Sequence, residues 1–272
     1  MEHLTAHPET RDMARTNTLY CHPVHMVSET KQASLSTWTN LGKEDFDEVF
    51  PNPPIREVDM EVRFAPRLRI PVEIWKFQDF VVKEYPGVSN ETAVSQSANM
   101  VAVVVFQNSE AGRVIKVSQQ NLVFSFTTYK TYEDFKTEVL RRSKEFCSLF
   151  GIETFARVGL RYVNEILIPE PEPEAILKYV RPFAAFGRIG IQNVRQFITD
   201  LRLSFDAHQV TFRAALLRDR LPTYVLDIDC YSDAEQLVEH LERSLDLYHE
   251  SAQRLFLDHI TEEYKNLMRG KA

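Results

Sequence analysis

Glu57-Val58-Asp59-Met60-Glu61-Val62-Arg63-Phe64 has the clearest regular pattern in the chain, because charged and apolar residues alternate through all eight positions. Successive side chains of a β-strand point to opposite faces, so this alternation predicts a strand with one buried and one solvated face. Residues 1–50, which precede it, are polar and irregular. We expect them to form an N-terminal extension to the folded body.

The residues after this strand predict a helix, an antiparallel meander and a second helix. An apolar stripe from Val72 to Val81 indicates the first helix. Thr131 suits the N-cap of the second helix and Gly151 suits its C-cap, so this helix should lie between them. The meander is indicated by three β-rich runs that turn residues separate, at 100–107, 113–118 and 122–128.

The second half of the chain repeats this order of elements. Its predicted elements are a strand over 155–168, a short helix over 174–180, and strands over 197–206, 209–217 and 223–231. A long final helix is expected to begin at Ser232 or Asp233 and to extend to about Leu267. We therefore predict two β-α-β-β-β-α units, residues 51–154 and 155–272, which reflect either an internal duplication or the chance recurrence of a common arrangement.

This order of elements predicts the α+β class, with a curved antiparallel sheet closed by long helices. Such a helix-grip arrangement is similar to the repeat of TATA-box-binding proteins and to the single unit of Bet v 1-like ligand carriers. The likeness is one of pattern, so it predicts geometry and not function. A sheet that curves around a helix leaves a hollow in which a ligand can bind.

The composition narrows the range of partners. The 272 residues carry a net charge of -7, which disfavours the clustered basic surface that nucleic acid requires. The longest apolar run, Met100 to Phe106, is too short to span a bilayer, so no membrane partner is expected. Three widely spaced cysteines without CxxC spacing fit reduced thiols and predict a cytoplasmic location.

Three stretches of the chain resemble one known family. They are Asn52-Pro53-Pro54-Ile55-Arg56-Glu57-Val58 leading into Glu61-Val62-Arg63-Phe64, then Gly159-Leu160-Arg161-Tyr162-Val163-Asn164-Glu165-Ile166, and His259-Ile260-Thr261-Glu262-Glu263-Tyr264. The family is a sporadically distributed, uncharacterised prokaryotic group of proteins of similar length, with no assigned activity. The resemblance implies an accessory role, such as phage defence or the regulation of mobile islands. The chain departs from the family at Glu165, where a basic residue is expected.

Arg161, Tyr162, Asn164 and Glu165 form the densest polar cluster within a β-like run. Arg161 and Glu165 share one face of the predicted strand, whereas Tyr162 and Asn164 share the other. With Arg63, these residues are our candidates for binding a ligand or a partner.

Arg161 has two interpretations. A guanidinium group can bind a carboxylate or phosphate through two parallel hydrogen bonds, which favours a role in recognition. The structural alternative is a cross-strand ion pair between Arg161 and Glu61 or Asp59.

The remaining reactive side chains predict neither a metal site nor a cofactor. Cys21, His22 and His25 have ligand chemistry, but no second pair follows at a spacing that zinc would use. Cys147 and Cys230 fall on apolar faces and should be core residues. The histidines that we expect at the solvated surface are His208, His240, His249 and His259.

We therefore predict a non-enzymatic protein that recognises a partner protein or a small ligand in the hollow between sheet and helix. The alternative is a hydrolytic or nucleotide-directed enzyme, in which Asp227 and Asp229 would line a cleft. We also predict a homodimer through the C-terminal helix. An unbroken helix from residue 232 would be longer than a sheet face of about 20 Å, so its end would project.

Overall fold

A computed structural model of the protein describes residues 48–94, 100–182, 190–194, 196–218 and 222–271. The described strands are β1 Ile55–Arg63, β2 Gly87–Val94, β3 Met100–Asn108, β4 Arg113–Val117, β5 Asn121–Phe126, β6 Thr154–Phe155, β7 Arg157–Leu167, β8 Phe197–Ser204, β9 Gln209–Arg218, β10 Pro222–Ser232 and β11 Gln236–Leu237. The described helices are α1 Ile70–Glu73, α2 Trp75–Val81, α3 Tyr132–Phe150, α4 Ile176–Tyr179, α5 Leu241–His259 and α6 Glu262–Met268. The α+β class is thus confirmed. Most of the predicted extension, residues 1–47, and the group Cys21, His22 and His25 lie outside the described residues.

Among these residues, nine strands form one antiparallel sheet in the order β2-β3-β4-β5-β1-β7-β10-β9-β8. At its centre β1 pairs with both β5 and β7, so that Met60 lies opposite Phe124 and Leu160. Strands of both predicted units therefore meet in this one sheet, whereas β6 and β11 pair in a second, two-stranded sheet. The unit boundary near residue 154 and an origin by duplication stay predictions.

The alternation in β1 gives the strand one buried and one more exposed face, as predicted. Val58, Met60 and Val62 are fully buried, and the charged residues between them are only half-buried. On the buried face, Phe77 of α2 contacts Phe106 of β3 with ring centroids 5.8 Å apart. The helix α5 packs against β7 and β10. The core therefore lies between one face of the sheet and the helices.

The structure adds to the nine-stranded sheet one strand that the sequence pattern did not predict. β2, Gly87–Val94, pairs with β3 alone and forms an edge of the described sheet. It is polar along much of its length, because an edge strand needs little apolar surface. The first unit therefore contains four strands after its first helical segment, and the predicted β-α-β-β-β-α order is wrong there.

The predicted limits of α3 are confirmed. The Thr131 side chain accepts a hydrogen bond from the backbone N–H of Asp134, and Gly151 adopts the left-handed conformation with φ 66° that ends the helix. Phe135 and Phe146 lie on its buried face. Local capping signals were therefore sufficient to locate this helix.

The predicted start of the final helix is wrong by several residues. Ser232 still pairs with Val158 in the sheet, and Gln236 pairs with Phe155 in the two-stranded sheet of β6 and β11. These backbone pairings prevent Ser232 and Gln236 from joining the helix, so a short 3-10 helix forms only at Val238–His240 and α5 begins at Leu241.

The prediction of one unbroken C-terminal helix is also wrong. Ile260 is extended and bridges to Val180, and the Thr261 side chain then caps α6. Tyr264 and Met268 of α6 are buried, so this end belongs to the folded body and does not project. The geometric reason for a dimer through this end is lost, and dimerisation itself stays a prediction.

His208 is an unusual buried residue in the turn between β8 and β9. Its side chain stacks on Phe205, and the residue is only 3% exposed. Neither ring nitrogen has a hydrogen-bond partner. Burial lowers the pKa of His208, so the ring is neutral near pH 7 and still lacks partners for one donor and one acceptor.

The variant His208→Leu is therefore expected to raise the free energy of unfolding by at least about 1 kcal/mol, because it removes unsatisfied buried polar atoms. Urea unfolding at neutral pH measures this change. His240→Leu is the matched control, because the side chain of His240 is 56% exposed and its replacement should have little effect. A loss of stability in His208→Leu alone would contradict the prediction.

Candidate functional site

A cleft of about 210 Å³ lies between the sheet and α5. Side chains of β7 and β10 form its floor, and one face of α5 forms a wall. The segment before α3, the segment before β1 and the end of α6 complete the lining. The lining residues are Glu48, Val49, Phe50, Pro53, Pro54, Ile55, Tyr129, Lys130, Thr131, Tyr132, Tyr162, Asn164, Ile228, His249, Ala252, Gln253, Phe256, Leu257 and Met268.

Four aromatic side chains at the cleft contact one another. His249 of α5 stacks on Tyr132 with ring centroids 3.8 Å apart and an angle of 8° between the planes. The Tyr162 hydroxyl lies 2.8 Å from Nδ1 of His249, and its ring meets that of Tyr129 edge to face at 6.0 Å. These contacts hold the rings in fixed positions on one side of the cleft.

His249 is neutral near pH 7. Burial lowers its pKa to about 4, and Lys136 acts in the same direction, whereas Asp246 opposes the shift. Asp246 is itself occupied, because its Oδ1 accepts hydrogen bonds from the Tyr132 hydroxyl at 2.8 Å and from Lys136 at 3.1 Å. His249 therefore contributes a neutral aromatic ring and no positive charge.

The segment 48–54 lies along the cleft and is attached to α6. The Glu48 carboxylate accepts two hydrogen bonds from Arg269, at 2.6 and 2.7 Å. The backbone N–H of Asn52 donates to the carbonyl of Met268 at 3.1 Å. Because the Arg269 guanidinium also lies 5.7 Å from the Phe50 ring centroid, the same arginine holds two residues of this segment.

Asn164 is the most deeply buried amide in the lining, with an exposed fraction of 3%. It lies opposite Leu226 of β10, and its Nδ2 donates a long hydrogen bond of 3.4 Å to the Leu226 carbonyl. Tyr162 precedes it by two residues on the same face of β7, as the alternation predicted.

Arg161 lies on the other face of the sheet, among charged side chains. It donates two hydrogen bonds to Asp227, at 2.7 and 2.9 Å, and one to Asp59 at 3.3 Å. The ion-pair interpretation is confirmed for Asp59. Glu61 instead accepts two hydrogen bonds from Arg63, both at 2.9 Å.

The five candidate residues are thus divided between the two faces of the sheet. Tyr162 and Asn164 line the cleft, whereas Arg63, Arg161 and Glu165 belong to the opposite face. Glu165 forms a long ion pair of 3.7 Å with an arginine in β1, Arg56.

The paired acids Asp227 and Asp229 are held by arginines. Asp227 is bound by Arg161, and Asp229 accepts a hydrogen bond from Arg157 at 3.3 Å. Burial raises the pKa of Asp229, and Asp227 adds to this effect, while Arg157 and Arg161 oppose it. Both residues lie on the charged face, so neither lines the cleft described above.

The expectation that the histidines are solvated is wrong for three of the four. His208 and His259 are each 3% exposed, and His249 is half-buried in the cleft wall. His259 contacts the Tyr224 hydroxyl through Nε2 at 2.8 Å. For His249 and His259, the burial could have been predicted from their position in α5. Both are polar residues beside the apolar stripe of this helix, and that stripe faces the core.

The expected positions of Cys147 and Cys230 in the core are confirmed. Burial raises the pKa of the Cys147 thiol to about 12, as expected for an unreactive core thiol. Within the described ranges, no group of three or more His, Cys, Asp or Glu residues is arranged to hold a metal ion.

The fold and the cleft define a class of protein: an α+β protein with a large antiparallel sheet and an apolar cleft beneath a long helix. The chain matches no protein-family model, and no curated protein matches it significantly in sequence. None of the helices described by the structure is long and apolar enough to cross a bilayer. The chemistry of the cleft is therefore the basis for any statement of function.

Proposed function

We propose that this protein is a non-enzymatic binding protein that holds a small, neutral, largely apolar ligand in the cleft between the sheet and α5. The main support for this proposal is the composition of the cleft lining, in which aromatic and aliphatic side chains surround a few buried polar groups. Sites for small molecules have this composition, because apolar contact provides affinity and a few polar groups provide orientation.

The volume of the cleft supports a ligand of about one ring. An apolar cavity of about 150 Å³ is large enough to bind benzene. At about 210 Å³ the cleft has room for such a ring with a small substituent. The rings of Tyr132 and His249 are already stacked on each other, so they present an ordered aromatic surface to the ligand.

The charges around the cleft favour a neutral ligand. Glu48 and Arg269 neutralise each other, and His249 carries no charge near pH 7. Lys130 is exposed at the rim. A charged ligand would lose its hydration without gaining a buried partner of opposite sign, which is unfavourable.

The lining also favours binding over catalysis. Among the described lining residues, Glu48 is the only carboxylate, and its oxygens are occupied by Arg269. An enzyme with a carboxylate-lined cleft would require convergent acids at the ligand. Asp227 and Asp229 are engaged with arginines on the opposite face of the sheet.

Several finer features belong to the same proposal. We infer a helix-grip fold that resembles a duplicated TATA-box-binding repeat, because β1 and β7 meet at the centre of the sheet. Membership of the sporadically distributed prokaryotic family, with an accessory or phage-defence role, rests on the three stretches of sequence quoted above. A cytoplasmic location rests on cysteine usage, and a homodimer is retained as a separate hypothesis.

Toluene tests the proposal directly, because it is neutral and about the size of the cleft. We expect toluene to raise the Tm of the protein, since a ligand that binds only the folded state stabilises it. Ala252→Phe should abolish the rise, because Ala252 lines the cleft on α5 and the new ring would occupy it. Thermal unfolding in sealed cells, followed by circular dichroism, measures the effect.

Arg243→Phe provides the matched control, because Arg243 is an exposed residue of the same helix outside the described lining. It should retain the full response to toluene. No rise in Tm for the unmodified protein, or an equal rise in Ala252→Phe, would overturn the proposal.

A further inference from the structure

Asn164 is a buried polar residue in an apolar setting. It is 3% exposed and lies in the middle of β7, where Tyr162 on the same face is 5% exposed. Burying an amide is unfavourable unless its donors and acceptor are satisfied. The position therefore requires an explanation in terms of its hydrogen bonds.

The hydrogen bonds of the Asn164 side chain are incomplete. A side-chain amide offers two N–H donors and one carbonyl acceptor. Nδ2 makes one long bond of 3.4 Å to the Leu226 carbonyl. Among the residues that the structure describes, this is the one hydrogen bond found for the Asn164 side chain, and Oδ1 is not one of the fully enclosed atoms without a partner. One donor and one acceptor, adjacent to each other, thus remain open at the cleft.

The neighbouring polar groups do not satisfy this pair. The Tyr162 hydroxyl is engaged with Nδ1 of His249 at 2.8 Å and also interacts with Tyr129. The Tyr132 hydroxyl donates to Asp246. Both hydroxyls are engaged with other partners, so neither satisfies the amide of Asn164 at the floor of the cleft.

We propose that Asn164 selects a ligand whose ring carries an adjacent hydrogen-bond donor and acceptor, as in an aromatic carboxamide or a lactam-type heterocycle. Such a group can form two parallel hydrogen bonds with a side-chain amide, in the manner of Asn or Gln with adenine. This inference rests on the proposed binding function and adds the chemical class of the ligand.

The expected selectivity for a carboxamide follows from the open N–H donor and Oδ1 acceptor of Asn164. A ligand that only fills the cleft leaves the buried donor and acceptor of Asn164 unpaired, whereas a carboxamide satisfies both. Sites built to bond a polar group reject analogues that lack it much more strongly than they discriminate by size. A carboxylate of the same shape offers no donor and brings a charge, so it is also excluded.

Four single-ring probes test this inference by isothermal titration calorimetry: benzamide, acetophenone, benzoate and toluene. Acetophenone has nearly the shape of benzamide but lacks its N–H donors. We expect benzamide to bind at least about tenfold more tightly than acetophenone, and benzoate to bind most weakly. Equal affinities for benzamide and acetophenone would overturn the role of Asn164.

The variant Asn164→Leu provides the second measurement. It keeps a side chain of similar size but removes the amide, so the preference for benzamide over acetophenone should disappear while toluene still binds. If Asn164→Leu does not fold, the probe series on the unmodified protein decides alone. Binding of toluene without selectivity refutes this inference and leaves the proposed function intact, whereas failure of all four probes refutes both.

Discussion

Replacing Arg142 by methionine is expected to lower the free energy of unfolding by about 3 to 5 kcal/mol, because it removes one partner of a buried ion-pair network. The Arg142 side chain is 1% exposed in α3. It lies 3.2 Å from Glu138, 2.8 Å from Glu145 and 2.9 Å from Glu84, and it donates to the Phe80 carbonyl at 2.6 Å. Its loss would leave the buried Glu138 carboxylate without its buried counter-charge and the Phe80 carbonyl without this donor, so α3 would lose one of its links to α2.

Arg141→Met is a close control for this effect. Arg141 is the adjacent residue and contacts the same three acids, Glu84, Glu138 and, at 4.0 Å, Glu145, but its side chain is 40% exposed. Its replacement should therefore cost less than about 1 kcal/mol. Urea unfolding of both variants measures the difference, and equal losses would show that burial does not distinguish the two arginines.

A double variant separates the effect of the unpaired buried charge on stability from the effect of packing. In Arg142→Met combined with Glu138→Leu, the 8% exposed acid is removed together with the arginine. Replacing both members of a buried pair by apolar residues is often close to neutral. We therefore expect the double variant to be more stable than Arg142→Met alone.

Acidification is expected to destabilise the protein through two histidines, the buried His259 and the half-buried His249. Burial lowers the pKa of both His249 and His259 from the ordinary 6.5 to about 4. The unfolded chain therefore binds a proton at each site between pH 6.5 and 4, whereas the folded protein does not. The free energy of unfolding is therefore highest above pH 6.5. It falls as the pH is lowered, by on the order of 3 kcal/mol for each histidine at pH 4.

The contribution of His259 can be tested with a double variant, which its neighbouring groups determine. His259 contacts the Tyr224 hydroxyl, and Arg181 lowers the pKa of its ring further. The double variant His259→Phe with Tyr224→Phe removes the titrating ring and the hydroxyl that would lose its partner. We expect this variant to lose less stability than the unmodified protein between neutral pH and about pH 4.5.

His240→Gln serves as the control for the pH experiment, because it also replaces one histidine but at an exposed position. Urea unfolding at several pH values gives the slope of stability against pH. An unchanged slope in the His259→Phe, Tyr224→Phe variant would refute the contribution of His259.

Elements with local signals were predictable from the sequence. The caps Thr131 and Gly151 belong to α3 itself, and the alternation from Glu57 to Arg63 depends only on which side of β1 is buried. Both signals arise from the chemistry of a few adjacent residues. They do not depend on what the element packs against.

Elements decided by distant contacts were not predictable in the same way. β2 is polar because it is an edge strand, and its place in the sheet depends on pairing with β3. The apolar stripe of the final helix continues past Ile260, but the bridge to Val180 ends the helix there. Neither pairing can be predicted from the local sequence pattern.

The site was predictable only in part, for the same reason. The alternation of β7 predicted that Tyr162 and Asn164 share a face, and they do share the cleft. The arginines Arg63 and Arg161 were grouped with them, although the pleat directs these residues to the opposite face. His249 was missed because it joins the cleft only when α5 packs on the sheet.

The central pairing of β1 with β7 has a consequence for synthesis on the ribosome. Met60 pairs with Leu160, so one side of β1 has no partner until the chain has been made through β7. Its apolar residues Val58, Met60 and Val62 would meanwhile border an open edge that another nascent chain can pair with. We expect this interval of translation to be the period in which aggregation competes most strongly with folding.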